Sequence, residues 1–79
     1  MKLKINWEHK RAKHAIERMW LKGISVGEVR NAIIKGQKRK QKNTKLMESF
    51  YSYYSVVYEE FIYEKQNIRK IYPITIKIW

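Results

Sequence analysis

Lys10, His14, Arg18 and Lys22 follow one another at four-residue spacing, which on an α-helix stacks them along one ridge. With Tyr72 on a later segment, they are the side-chain types that can cleave RNA without a metal ion. A base must activate the 2′-hydroxyl, cations must hold the phosphorane charge, and an acid must protonate the leaving oxygen. His14, Arg18 and Tyr72 are the catalytic candidates. Other chemistries find little support. The chain has neither Asp nor Cys, so neither a metal site nor a cofactor is expected. Gly23, Gly27 and Gly36 read as helix caps and helix-entry residues rather than a phosphate loop. No Ser occupies a nucleophile-elbow context. The Lys10–Lys22 ridge also has a plain reading, the solvated face of an amphipathic helix.

Charge points to the partner. Eighteen Lys and Arg against seven Glu give the 79 residues a formal charge of +11. A field that dense opposes compaction by self-repulsion, and a polyanion relieves it. Nucleic acid is therefore the first partner to consider, because it neutralises many cations at once. The cations cluster: Lys35, Lys38, Arg39, Lys40, Lys42 and Lys45 crowd one stretch, while Glu59, Glu60 and Glu64 gather near the other end. Lys38, Arg39, Lys40 and Lys42, together with Lys10, Lys22, Arg69 and Lys70, are the candidate phosphate contacts. Lys70 and Arg69 flank Tyr72, the residue singled out for stacking or proton donation. Tyr51, Tyr53, Tyr54, Tyr58 and Tyr63 suit either base stacking or ordinary strand packing.

These side chains need a scaffold, and the length allows one small domain over residues 1–79. No apolar run approaches the roughly 20 residues that span a bilayer, and the first residues lack a signal-peptide pattern. A cytoplasmic protein with no membrane partner is the expectation. Residues 9–35 carry helical periodicity, with Ala12, Ala15, Ile16, Met19 and Trp20 forming one apolar stripe. Gly23 reads as a left-handed C-terminal cap. Ser25-Val26-Gly27-Glu28 has the form of a capping box, and Ile24 and Val29 occupy the staple positions around it. The second helix turns Val26, Val29, Ala32 and Ile33 inward. Residues 36–45 read as an exposed basic connector that stays disordered until phosphates arrive. Met47–Tyr54, Ser55–Glu64 and Ile68–Tyr72 read as strands, with a turn at Lys65-Gln66-Asn67. Pro73 belongs at an edge or a bulge. Ile74, Ile76 and Ile78 alternate with polar or aromatic neighbours. A short first strand at Leu3–Trp7 and a fourth or extended final strand complete the pattern. The expected fold is α+β, an N-terminal αα-hairpin on one face of a three- to four-stranded antiparallel sheet.

The run His14-Ala15-Ile16-Glu17-Arg18-Met19, followed by Lys22-Gly23-Ile24-Ser25 and Glu28-Val29, resembles the signature of a family of small prokaryotic domains of unknown function. That pattern is roughly His-Ala-x-x-Arg-Met-x-x-Arg-Gly-Ile-Ser, then Glu-Val on a second helix, then a three-stranded sheet. The family is similar to the RelE, ParE and BrnT toxins of type II toxin–antitoxin systems. The resemblance implies a RelE-like fold, and a cognate antitoxin protein as partner. RelE-type members cleave mRNA without metal, and ParE-type members poison gyrase. It carries over to His14, Arg18 and Lys22; the last stands where the family usually has Arg, which replaces a bidentate phosphate contact by a point charge. RelE-type sites also place Arg, Lys and Tyr on late strands, the positions of Arg69, Lys70 and Tyr72.

Three functions fit. The first is a toxin, a metal-independent mRNA endoribonuclease acting at or near the ribosome to inhibit translation. The second is a non-enzymatic module binding DNA or RNA, with Arg30, Asn31 and Lys35 of the second helix as base readers. The third is a regulator docking on an acidic protein, which would bind nucleic acid weakly even at low salt.

Overall fold

A computed structural model describes residues 2–79 and shows an α+β domain with two helices and a five-stranded mixed sheet. In chain order the elements are β1 (Lys2–Ile5), α1 (Ala12–Lys22), α2 (Val26–Lys35), β2 (Gln37–Lys40), β3 (Leu46–Tyr51), β4 (Tyr54–Tyr63), a 3-10 turn (Glu64–Gln66) and β5 (Ile68–Ile78). The sheet order is β1-β5-β4-β3-β2. All pairings are antiparallel except β1 with β5, which run parallel.

Local chemistry shapes the helical hairpin. Gly23 takes φ +68° and its N–H donates to the Met19 carbonyl, closing α1. Ser25 Oγ accepts from the Glu28 N–H at 3.1 Å, and Glu28 Oε1 accepts from the Ser25 N–H at 3.0 Å. Both orphan donors at the start of α2 are thereby satisfied. Ile24 and Val29 beside that cap are buried. Met19, Ile24, Val29, Ala32 and Ile33 then form one core with Tyr54, Val56, Tyr58, Ile71 and Ile76. The helices lie side by side on the sheet, α1 against β5 and α2 against β3 and β4. The Tyr54 hydroxyl donates to the Glu28 carbonyl at 2.8 Å, tying β4 to α2, and Ser49 and Tyr58 share a buried hydrogen bond of 3.0 Å.

Several expectations need correction. Five strands form, rather than three or four, and the sheet is mixed rather than antiparallel, because β1 docks parallel on β5. The basic connector is not a free loop. Gln37–Lys40 pairs with β3 and only residues 41–45 form the hairpin tip. An edge strand exposed on both faces needs no apolar residue, and its lysines discourage pairing with another chain. The turn between β3 and β4 falls at Ser52-Tyr53, with Ser52 at φ +56°. α1 buries Ala12, Ala15 and Met19, but Trp20 is 81% exposed. The small alanines let α1 approach β5 closely, so the covered stripe is too narrow to include the indole. Val26 is likewise exposed. Pro73, expected at an edge or a bulge, lies at a bulge within β5. It faces Tyr58 where the register shifts and Ile74 is skipped, a bulge that spares a ladder donor. Asn67 at φ +55° turns the chain into β5. Among the described residues no helix is long and apolar enough to cross a membrane.

Two outcomes follow from these contacts. A Cβ on Gly36 would stand 2.3 Å from the Ala32 carbonyl oxygen and 2.9 Å from that of Phe50. Gly36→Ala should therefore lower stability by about 1–3 kcal/mol in urea titration. Gly27→Ala, with only Ser25 Oγ nearby at 3.8 Å, should raise it by roughly 0.5–1 kcal/mol. Burial pushes the Tyr58 phenol above 10.0, against the Ser49 hydrogen bond, and burial and then Glu28 raise that of Tyr54. The native state then holds these protons longer than the unfolded chain. Stability should be complete below pH 10 and fall as pH rises above it, with less fall in Tyr58→Phe.

Candidate nucleic-acid interface

Strand alternation divides the sheet into two chemically different faces. Tyr54, Val56 and Tyr58 of β4 face the helices, so Ser55, Val57, Glu59 and Phe61 face the other way. Register carries that second face across the sheet. Phe61 pairs with Lys70, Glu59 with Tyr72, Lys4 with Lys70, Ser55 with Lys77 and with Phe50, and Arg39 with Glu48. Around a buried centre at Glu48, Ser55 and Val57, the open face is a surface of aromatics interleaved with cations and Glu59.

Tyr72 is the centre of one cluster. The His9 ring meets it edge-on at 5.2 Å between centroids and 82°, and Phe61 does so at 5.4 Å and 88°. Lys70 Nζ lies 5.7 Å from the Tyr72 ring centre. The backbone holds His9 there. The Asn6 N–H donates to the Ile71 carbonyl at 2.8 Å, prolonging the β1–β5 pairing, and the His9 carbonyl accepts from the Ala12 N–H at 3.0 Å. Arg11, just before α1, sits 3.9 Å from Glu59. His9 Nε2 is buried and has no hydrogen-bond partner among the described residues. A buried polar atom without a partner is costly, and functional groups are a common reason for one.

A second cluster lies nearer the other end. Phe50 and Trp79 stack at 5.6 Å and 19°, and the Arg39 guanidinium stands 5.5 Å from the Phe50 ring centre. Between the clusters, Glu48 accepts from Ser55 at 2.6 Å and from Gln41 at 3.4 Å and lies 3.9 Å from Lys77. Its charge is held by these neighbours.

The structure brings Tyr72 and Lys70 together but not the helical candidates. Lys10, His14, Arg18 and Lys22 are exposed, and His14 and Arg18 lie on the side of α1 away from Ala12, Ala15 and Met19. Neither ring contact of Tyr72 involves α1. Arg69 points to the helix-side face, where its guanidinium Nε and a terminal nitrogen both donate to Glu60 Oε2. That pairing occupies the charge expected to hold phosphate. Arg39 reaches the open face, while Lys38 and Lys40 alternate to the other side of the edge strand. Lys40, Lys42 and Lys45 ring an open hollow of about 690 Å³ at the hairpin tip, whose lining includes no aromatic ring. None of the cations from Lys38 to Lys45 forms an ion pair among the described residues; Arg11, Arg69 and Lys77 do.

His9, Phe50 and Trp79 escape the sequence reading. The alternation Trp79, Lys77, Thr75 pointed toward one face, but which face stays open depends on where the helices settle. No group of three His, Cys, Asp or Glu among the described residues could hold a metal ion. No family model, curated protein or solved structure matches the chain.

The two cation environments should separate by experiment. Arg69→Ala leaves a part-buried Glu60 unpaired and should cost about 1–3 kcal/mol in chemical denaturation. Lys70→Ala removes an open-face cation and should change stability by less than about 0.5 kcal/mol.

Proposed function

We propose that the protein is a toxin of the RelE type that holds RNA on the open face of its sheet and cleaves it without a metal ion. The observation that carries this reading is the packing of His9 and Tyr72 beside Lys70 on a cation-rich face. Imidazole is the side chain most often used for proton transfer. His9 takes the role expected of His14, accepting the 2′-hydroxyl proton as that oxygen attacks phosphorus. The bond from phosphorus to the 5′-oxygen breaks, the Tyr72 phenol protonates the departing oxygen, and a 2′,3′-cyclic phosphate remains. Tyr72 regains its proton from solvent, to which His9 releases its own. Lys70 and Lys4 stabilise the negative charge that builds on the phosphoryl oxygens. The substrate is mRNA, in the ribosome-bound state that RelE-type toxins use, and the site of action is the cytoplasm. A cognate antitoxin would cover Trp20 and Leu21, which α1 leaves exposed. His14 and Arg18, on the outer side of α1, then serve contact with the antitoxin.

A second reading, a non-enzymatic module that binds RNA or DNA, draws on the exposed aromatics of the open face, which suit binding whether or not cleavage follows.

The deciding measurement is cleavage of RNA by purified protein in chelator, alongside binding by fluorescence anisotropy. His9→Ala and Tyr72→Phe should each slow cleavage about a hundredfold or more while RNA binding persists. His14→Ala should cleave at the wild-type rate. Binding without cleavage by the wild type would favour the second reading. Absence of binding at low salt would sink both.

A further inference from the structure

The stacked Phe50–Trp79 pair stands apart from the His9–Tyr72 cluster. Trp79 follows Tyr72 by seven residues, roughly 20 Å along an extended strand. Its indole lies nearly parallel to Phe50, yet Trp79 remains 67% exposed. Packing does not account for that placement, since so large a ring gains little from burial when most of it stays in water. The backbone there is nevertheless held. The Trp79 backbone N–H donates to the Tyr53 carbonyl at 2.8 Å, and Phe50 supports the indole from one side. Beside Phe50, a hollow of about 220 Å³ is lined by Gln37, Lys38 and Arg39. Glu48, close by on β3, is engaged by Ser55, Gln41 and Lys77, so it offers little repulsion to an anion.

We infer that Trp79 and Phe50 form a stacking subsite for an unpaired base of single-stranded nucleic acid, with Arg39 holding the flanking phosphate. The inference rests on the proposed nucleic-acid reading and adds to it a strand state and a second anchor. A preoriented aromatic face with one side open suits any base, because every base has a π-face. A duplex hides those faces within its own stack, so the subsite selects unpaired strand. With Tyr72 at one end of the open face and Trp79 at the other, the bound segment spans several nucleotides. The subsite then sets where along a strand the phosphate opposite His9 falls. The free Arg39 guanidinium beside the pair favours this occupant over an apolar protein segment, which would leave that charge unanswered.

The test uses the full chain and a labelled oligouridylate of roughly twelve nucleotides, with its duplex counterpart, read by anisotropy at one fixed salt concentration. Trp79→Leu, which keeps apolar bulk but removes the π-face, should weaken single-strand binding by about five- to hundredfold. Trp79→Phe should retain most of the affinity. Trp20→Ala, on the exposed side of α1, should change nothing, and duplex binding should be weaker than single-strand binding and indifferent to Trp79. Arg39→Gln should also weaken single-strand binding, which tests the subsite without altering the indole. Unchanged affinity in both Trp79→Leu and Arg39→Gln, with the wild type binding normally, overturns the subsite and leaves the proposed function standing. Equal losses on single strand and duplex also overturn it. A dimer in light scattering that dissociates in Trp79→Leu would assign the indole to a second copy of the chain instead. No binding by the wild type removes the subsite together with the reading beneath it.

Discussion

The ladder between β4 and β5 pairs every residue of β4, from Tyr54 opposite Ile78 to Tyr63 opposite Ile68, and it is the central contact of the domain. Side chains on paired strands alternate between faces with period two. Tyr54, Val56, Tyr58, Ile71 and Ile76 occupy one face and draw in both helices. On the other face only Val57 and Ser55 are buried beside Glu48, and Glu59, Phe61, Lys70, Tyr72 and Lys77 around them are too polar a set to form an apolar core. The bulge at Ile74 lets Pro73 sit in the ladder without changing this division, so both ends of β5 present their aromatics on the same open side. The candidate site is thus a consequence of how the core closes.

A chain at +11 must limit repulsion within its own fold. Its acids are placed where they serve the scaffold. Glu28 completes a helix cap, Glu60 holds Arg69, Glu48 sits among Ser55, Gln41 and Lys77, and Glu59 faces Arg11. The cations of the β2–β3 hairpin receive no such partner among the described residues. Excess charge is therefore concentrated at the edge strand, the hairpin tip and the outer ridge of α1, rather than spread evenly. Exposed Lys and Arg alone do not distinguish phosphate binding from simple solubility or edge protection. The rings set among them are what separates the open face from an ordinary basic surface.

The His9 and Tyr72 pairing shows how a site can arise from distant pieces. Sixty-odd residues separate them, and they meet because β1 docks parallel on β5 and the chain then climbs into α1. The His14 ridge, with its regular spacing, stays on the solvent side of the same helix. Regular spacing reveals that a helix has a polar face; it carries no information on whether that face meets anything.

Local backbone chemistry was legible in the residues alone. The left-handed turn at Gly23, the reciprocal Ser25–Glu28 cap and the positive φ at Asn67 each depend on one or two neighbouring side chains. The α+β division followed from a change in hydrophobic period. The strand in Gln37–Lys40, the parallel docking of Lys2–Ile5, the exposure of Trp20 and the meeting of Phe50 with Trp79 were not readable. Each depends on backbone pairing or close approach between segments far apart in the chain, and a ladder of N–H and C=O groups is the same whatever side chains it carries. Short-range sterics and hydrogen bonds are written residue by residue, whereas the choice of neighbour is made only when the whole core closes.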